Sequence, residues 1–330
     1  MTDHVSVSGS AYSKGLCRTG LLSKLSNKVW GVKFFLLNGK PNRVFRFGGG
    51  LGDHLMVTSV FREYRKRGEE GLWMMTDHPT IFEQNTDISR VVGDNWRISK
   101  YCTYLGSTPT TLSYGNWIGC QDKIEQPRSH ILKEIMVRAG LTGEVDLRPW
   151  FPSVKDRSNK KLSSRICIQG AGTLSSTMML NKQWIASRYM ELAIELGKRY
   201  DLIQLGMPGE SNIPSAQDLR GKLSIRETAE ALSGSRFFIG QVGFLMHLAR
   251  AVGTRSVIIY GGREKAWQSG YPCNENLETD PLCSPCWQSN HCDHNRVCLE
   301  DVQVGDVLDA VERIEGRLRE PLETDTQIID

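Results

Sequence analysis

The chain has 330 residues, of which 39% are hydrophobic and 24% are charged. This length predicts two domains, and this composition is typical of a folded globular protein rather than a disordered one. The sequence contains no apolar run of about 18 residues, so it predicts no membrane-spanning helix. It also lacks the apolar core of a secretory signal near its start, so we expect a cytoplasmic protein.

The net charge of +4 is unevenly distributed. Positions 1–46 hold eight Lys and Arg residues against a single acid, Asp3. From Leu21 to Leu36 apolar residues recur at helical spacing with lysines between them, which predicts a basic amphipathic helix. Such a helix can lie on an anionic membrane surface or pack against the protein's own body. No nucleic-acid partner is expected, because the basic charge is not spread over the rest of the chain.

The first half of the chain alternates predicted strands and helices. Val44–Phe47 and Leu72–Thr76 read as strands, and about Asp53–Arg67 and Arg128–Ala139 as helices. Residues 95–125 show weak periodicity. Leu147–Ser164 reads as an exposed linker because it combines prolines with a charged run.

After the linker the strand and helix pattern restarts. The predicted strands are Arg165–Gln169, Asp201–Leu205, Phe237–Gly240 and Ser256–Tyr260, and the predicted helices are Gln183–Arg199, Ser224–Leu232, Leu245–Val252 and Val302–Ile314. Repeated βαβ units predict parallel sheets covered on both faces. We therefore expect an α/β protein with a basic tail at 1–40 and two Rossmann-like domains, 41–150 and 151–330, whose sheets face an interdomain cleft.

Three glycine-containing turns follow predicted strands. Gly48–Asp53 opens a helix, where backbone N–H groups can bind an anion; Asp53 could be a base or simply an N-cap. Gly170–Thr173, followed by Lys182, offers hydroxyl, N–H and ammonium groups suited to a diphosphate, or is a surface loop. Gly240–Ala249 opens another helix and carries His247, which could be a ligand-binding or a structural histidine.

Four cysteines lie within 16 residues: Cys283, Cys286, Cys292 and Cys298. Thiolates at this density can surround one tetrahedral metal ion, such as structural zinc or iron. Reduced buried cysteines and disulfides are the alternatives, and a reducing compartment favours metal over disulfides.

Taken in order, these motifs resemble glycosyltransferase family 9, the ADP-heptose:lipopolysaccharide heptosyltransferases. The resemblance runs from about Arg43 to about Ile314. It comprises Arg46–Asp53, Gly170–Gly172, Lys182–Trp184, Gly206–Pro208, Leu219–Ser224, Met246–Gly253 and the cysteine-containing tail. It implies the GT-B fold and inverting, metal-independent transfer of heptose from an ADP-sugar to a sugar hydroxyl of a lipopolysaccharide-core acceptor.

The resemblance also implies roles for single residues. The family's catalytic base corresponds to Asp53, and its phosphate-binding Thr and Lys to Thr173 and Lys182. The remaining expected donor-binding residues are Gly52, Gln241, Gly243, Phe244, Leu245, Met246 and His247. No cofactor is expected for the chemistry, and a metal at the cysteines would be structural.

The chain departs from the family pattern at two positions. An acid usually precedes the histidine by five residues, and here that position is Val242. Phe244 replaces a small residue beside the expected donor. Alternatives to heptose transfer are therefore a transferase with another donor or with a protein acceptor, and an inactive nucleotide-sugar-binding or assembly protein. Acceptor and oligomeric state are not predicted.

Overall fold

The computed structural model describes residues 29, 31, 33, 34, 36–118, 123–152, 163–172 and 179–330. The chain divides into two compact units, Met1–Lys40 and Pro41–Asp330. In the first unit, positions 29, 31, 33, 34 and 36–38 are helical, in the region where the amphipathic pattern predicts a helix. No helix among the described residues is both long and apolar enough to cross a membrane.

The larger unit begins with a parallel sheet in the order β3-β2-β1-β4. Its strands are β1 (Arg43–Phe47), β2 (Leu72–Met75), β3 (Arg90–Val92) and β4 (Thr110–Leu112). Its helices are α1 (Leu51–Lys66), α2 (Trp96–Tyr104) and α3 (Ile131–Ala139), with a 3-10 turn at Pro79–Phe82. The buried strands β1 and β2 explain why their apolar runs were readable in the sequence.

Residues 95–125, where the sequence had little periodicity, hold helix α2, strand β4 and a short antiparallel hairpin. The hairpin pairs β5 (Trp117–Ile118) with β6 (Lys123–Ile124). These elements are short, so each offers too few residues for a period to be recognised.

The second parallel sheet has six strands in the order β10-β9-β8-β11-β12-β13. The strands are β8 (Arg165–Gln169), β9 (Asp201–Leu205), β10 (Gln217–Asp218), β11 (Phe238–Gln241), β12 (Ser256–Gly261) and β13 (Glu275–Glu278). The helices are α4 (Ala186–Leu196), α5 (Ile225–Gly234), α6 (Phe244–Ala251), α7 (Ala266–Ser269), α8 (Val297–Glu300) and α9 (Val304–Arg317).

Two local features decide where helices start in this half. Ser224 caps α5 and its hydroxyl accepts the N–H of Glu227, while the Glu227 carboxylate accepts the N–H of Ser224, as the capping-box pattern predicts. Helix α4 starts at Ala186, later than the predicted Gln183, because Leu180–Lys182 form a separate 3-10 turn. Lys182 therefore lies in a turn before the helix.

The C-terminal strand joins the first half of the chain. β14 (Thr326–Ile329) pairs antiparallel with β7 (Gly143–Asp146). Just before β14, buried Asp325 accepts a hydrogen bond from Arg250 Nε of α6 at 2.5 Å. The two parallel sheets, each with helices packed against it, form the GT-B architecture expected from the sequence. The position of the last strand was not predicted, because periodicity does not reveal a partner distant in sequence.

Candidate active site

Asp53 lies in the first turn of α1. The N-cap of this helix is Gly50, whose N–H donates to Asp53 Oδ2 at 2.8 Å. Asp53 is therefore not the N-cap, because the helix begins two residues before it. A Cβ on Gly49 would collide with the same carboxylate oxygen, so glycine at 49 leaves room for the Asp53 side chain.

The surroundings of Asp53 favour a base of raised pKa. Burial raises the pKa of Asp53, and the hydrogen bond from Gly50, the positive charge of Lys182 and a hydrogen bond from the Tyr114 hydroxyl oppose that rise. Burial also raises the pKa of Tyr114 well above its usual value, so this phenol stays protonated as a donor. A carboxylate tuned in this way can accept a proton from an attacking hydroxyl.

Tyr114 is a site residue that the sequence analysis missed. It follows β4, and its ring centroid lies 6.1 Å from that of Phe47 at the end of β1. Since β1 and β4 are neighbouring parallel strands, the loops after them meet at one edge of the sheet. The only available signal was a tyrosine just beyond a short apolar segment, and that is too common to single out.

The N-termini of helices α1 and α6 meet at this site. A Cβ on Gly52 would lie 3.4 Å from His247 Cδ2 and 3.4 Å from the Cα of Phe244. A longer side chain at position 52 would push the two helix starts apart. The first N–H groups of a helix have no partner within it and carry partial positive charge, so the arrangement favours an anion at this point.

The start of α6 can serve a ligand mainly through its backbone. Gly243 is the N-cap, and the side chains of Leu245 and Met246 are buried in the core. His247 is also buried, with Nδ1 2.7 Å from the Tyr271 hydroxyl oxygen. Burial, reinforced by the charge of Lys182, lowers the pKa of His247 to about 3, so the imidazole is neutral at physiological pH.

Lys182 reaches the same region from the 3-10 turn before α4. Its Nζ lies 2.5 Å from Glu264 Oε1, and Arg263 Nη1 donates to the same oxygen at 2.8 Å. Burial alone would raise the pKa of Glu264, but Lys182 and Arg263 lower it to about 2. Burial lowers the pKa of Lys182, and Glu264 opposes this shift. Lys182 is thus held by a carboxylate that is ionised at physiological pH.

Arg263 and Glu264 were not recognised from the sequence. They follow β12 in a segment that matches no motif, and only the fold brings them to Lys182, a residue distant in the chain. Sequence analysis selected Lys182 because of the glycine turn before it. The structure describes Gly170–Gly172 of this turn, where the N–H of Gly172 donates to Gln183 Oε1. Thr173, expected to bind phosphate, lies outside the described residues.

A half-buried carboxylate, that of Glu210, lies at the carboxyl ends of β8 and β9. Gln169 Nε2 donates to Glu210 Oε1 at 2.9 Å, and burial raises the pKa of Glu210. Neither Glu210 Oε2 nor the Tyr189 hydroxyl, both buried, has a hydrogen-bond partner among the described residues. Ligands of parallel sheets bind at this edge, so two unsatisfied polar atoms there indicate a ligand-binding role. The sequence analysis missed both residues.

Val242 and Gln241 lie side by side at the end of β11. Val242 belongs to the apolar core, so this chain has no carboxylate at the position where the family has an acid. Gln241 is also buried, and its Oε1 is without a hydrogen-bond partner among the described residues. This unsatisfied amide oxygen is a polar acceptor near the start of α6.

The cysteine-containing stretch Cys283–Cys298, called here the Cys segment, brings its four thiols close enough to influence one another. Burial raises the pKa of Cys298, and the charges of Cys286, Cys292 and Cys283 raise it further. All four are free thiols. Within the described part of the chain, no group of three or more His, Cys, Asp or Glu side chains is arranged closely enough to hold a metal ion.

Comparisons with known proteins agree with this geometry. Residues 169–290 match the profile of glycosyltransferase family 9 (heptosyltransferase). No curated protein sequence matches the chain.

Solved structures of several other proteins share its fold at low sequence identity. The iron-containing dodecameric glycosyltransferase TibC from enterotoxigenic E. coli H10407 gives a TM-score of 0.66 at 17% identity, covering 84% of this chain and 77% of that one. A family 9 glycosyl transferase from Veillonella parvula DSM 2008 gives 0.58 at 13% identity over 85% and 99%. E. coli heptosyltransferase WaaC with ADP gives 0.50 at 14% identity over 84% and 99%.

The match begins at Gln169, the last residue of β8, and spans the Gly170 turn, the Lys182 turn, the start of α6 and the first part of the Cys segment. The resemblance to glycosyltransferase family 9 seen in the sequence is thereby confirmed, by the family profile over residues 169–290 and by the GT-B fold over most of the chain.

Proposed function

We propose that the protein is an inverting, metal-independent glycosyltransferase that moves a sugar, with heptose favoured, from an ADP-sugar to a hydroxyl of a glycan or lipid-linked acceptor of the lipopolysaccharide-core type. The observation that carries this proposal is the position of Asp53. Its half-buried carboxylate lies within the electrostatic influence of Lys182, where the starts of α1 and α6 meet. A proton acceptor and an anion-binding environment are thus adjacent.

In the proposed reaction the acceptor oxygen attacks the anomeric carbon on the face opposite the diphosphate. The bond from the anomeric carbon to the diphosphate oxygen breaks as the new bond forms, and Asp53 takes the hydroxyl proton. The anomeric carbon passes through an oxocarbenium-like state, while negative charge develops on the departing ADP. Lys182 and the helix N-termini are arranged to stabilise that charge.

The donor would bind the second half of the protein. The N–H groups of Gly243, Phe244, Leu245 and Met246, together with Lys182 and Thr173, would bind the diphosphate. The unsatisfied Oε2 of Glu210 lies at the sheet edge where a ribose hydroxyl could donate to it. Gln241 Oε1 could accept a sugar hydroxyl in place of the missing acid.

A second candidate is a transferase of the same fold that uses another donor sugar or a protein acceptor. At the position of the family's acid, this chain has buried, apolar Val242, and its neighbour Gln241 offers only a neutral amide. This favours the second candidate, because a neutral amide in place of a carboxylate alters how sugar hydroxyls are bound. An inactive sugar-binding or assembly protein is the remaining alternative.

Asp53→Asn should lower kcat by about 10²–10⁴-fold, the usual contribution of a general base, and leave ADP affinity unchanged. Exposed Asp309→Asn is the control for this substitution.

Thermal unfolding with ADP, UDP, GDP, CDP and ADP-heptose identifies the donor class, since a ligand at 100 times its Kd stabilises the folded protein by about 2.7 kcal/mol. A shift with another nucleotide would favour the second candidate. No shift with any nucleotide, together with no turnover, would contradict the proposal.

Tyr114→Phe should move the acidic limb of the kcat/KM profile to higher pH. The base acts only when deprotonated, and removing the phenol removes an interaction that lowers the pKa of Asp53. Activity at low pH should therefore fall more than activity at high pH. Tyr104→Phe, at an exposed position, should leave the profile unchanged. An acidic limb that stays in place or moves to lower pH would show that Tyr114 does not act on Asp53.

A structural zinc or iron ion at the Cys segment is also proposed; to hold it, Cys283, Cys286, Cys292 and Cys298 would have to move closer together than they lie in the structure. Its support is the mutual influence of the four thiols, which are the ligand type that both metals accept. Protein purified under reducing conditions without chelator should contain about one equivalent of either metal. Less than about 0.2 equivalents would contradict the proposal, because one four-thiolate site holds one ion.

Peripheral attachment to the inner face of the cytoplasmic membrane is proposed for the N-terminal unit. Its helical stretch carries exposed Lys33 together with Leu36 and Leu37, which are 76% and 68% exposed. Cations and apolar side chains on one short helix suit an anionic lipid surface. Deleting residues 1–40 should reduce binding to vesicles that contain anionic lipid and not change binding to neutral ones. Equal binding by both proteins would contradict attachment through this unit.

A further inference from the structure

Trp287, which lies within the Cys segment and faces the candidate active site, has an unusual backbone conformation. It directly follows Cys286, its side chain is 1% exposed, and its φ is +53°. A bulky residue rarely adopts a left-handed backbone, and such a conformation persists only where the surrounding contacts hold it. Strain of this kind concentrates at functional sites, so the contacts of Trp287 indicate what it holds in place.

One set of contacts leads to the donor-side lysine. The N–H of Trp287 donates to the carbonyl oxygen of Arg263 at 2.9 Å. The Arg263 guanidinium lies over the indole at 4.8 Å from the ring centroid. Arg263 and Lys182 both donate to Glu264 Oε1. The indole thus supports one side of the ion triad that holds Lys182.

A second set of contacts leads to the proposed base. The indole lies 6.3 Å, between ring centroids, from Tyr114, whose hydroxyl is close enough to Asp53 to lower the pKa of that carboxyl. The carbonyl oxygen of Trp287 accepts the N–H of Ile124 at 3.2 Å. Both Tyr114 and Ile124 belong to the stretch that follows β4. Trp287 therefore contacts that stretch at Tyr114, before β5, and at Ile124, the last residue of β6.

The Cys segment is fastened to the residues that precede Lys182 and Glu264. The N–H of Cys286 donates to the carbonyl oxygen of Gly262 at 3.1 Å, and a Cβ on Gly262 would lie 3.0 Å from Cys298 Sγ. The side-chain amide of Asn181 donates to two carbonyl oxygens of the Cys segment, at 3.1 and 2.8 Å. The cysteines and the active site are thus built on one continuous framework.

We propose that Trp287 is a positioning residue that fixes the distance between Lys182 and Asp53. It acts on Lys182 through Arg263 and Glu264, and on Asp53 through Tyr114. The inference rests on the proposed glycosyl transfer for its kinetic consequences. The two groups come from different halves of the protein and must both be placed against one donor molecule. A single side chain that touches the support of each can fix their separation. The Cys segment would then act on catalysis by anchoring Trp287.

The test compares Trp287→Leu and Trp287→Phe with the control Trp73→Leu, which removes a buried tryptophan from the centre of β2. Displacement of a reacting group by about 1 Å can cost about a hundredfold, so Trp287→Leu should lower kcat/KM by tenfold or more. Trp287→Phe keeps a ring beneath Arg263 and should recover most of that loss. Trp73→Leu should change stability without a comparable kinetic effect.

Two further readouts separate positioning from mere loss of stability. The first is the shift of the acidic limb caused by Tyr114→Phe. It should shrink in the Trp287→Leu background and stay complete in the Trp73→Leu background, because only coupled residues are non-additive. The second is the pH midpoint of Lys182 labelling by an amine-reactive reagent. This midpoint should move toward the midpoint of an ordinary lysine in Trp287→Leu and should not move in Trp73→Leu.

The labelling measurement needs no turnover. Absence of activity in the unmodified protein with every ADP-sugar would overturn the proposed function and leave the labelling test of Trp287 intact. An unchanged labelling midpoint, or equal kinetic losses in Trp287→Leu and Trp73→Leu, would overturn the positioning role. If Trp287→Leu does not fold, Trp287→Phe supplies the same comparison, with a smaller but non-additive shift as the supporting result.

Discussion

One buried carboxylate oxygen, Oε1 of Glu264, sits between two cations, and the rest of the site depends on it. Isolated charges are costly to bury, so Lys182 and Arg263 can stay in the interior only while Glu264 is ionised beside them. Their attraction in turn keeps the pKa of Glu264 at about 2 despite its burial. The triad therefore holds a lysine beside Asp53 with its charge compensated and its position restricted.

The compensation of charge within the site affects how a diphosphate would be stabilised in the proposed reaction. Asp53, Lys182, Arg263 and Glu264 together carry no net charge when all are ionised, so the site is not strongly positive by itself. The negative charge of a diphosphate would then be stabilised largely by the partial charges at the starts of α1 and α6, with Lys182 adding a directional contact. The close approach of Gly52 to Phe244 and His247 makes this possible, since it brings both helix ends to one point.

The Cys segment contributes to this arrangement through geometry rather than chemistry. Its backbone and side chains contact the residues just before Lys182 and just before Glu264, and Trp287 extends from it to Arg263 and Tyr114. A metal ion held by its thiols would stiffen this framework without taking part in sugar transfer. The strained backbone at Trp287 can persist because contacts from several directions hold this residue.

The sequence by itself determined the local structure and part of the site. Long apolar strands such as β1 and β8, the capping pair at Ser224 and the glycine turns before Asp53 and α6 were all readable, because each depends on neighbours a few residues away. Asp53, Lys182 and His247 were predicted from such local motifs and from the family resemblance, and their roles remain predictions. The tertiary structure alone decided that Tyr114, Arg263, Glu264 and Trp287 lie around them, and that β14 pairs with β7. These contacts join residues far apart in the chain, and their energies come from burial and charge compensation, which leave no periodic pattern in a sequence.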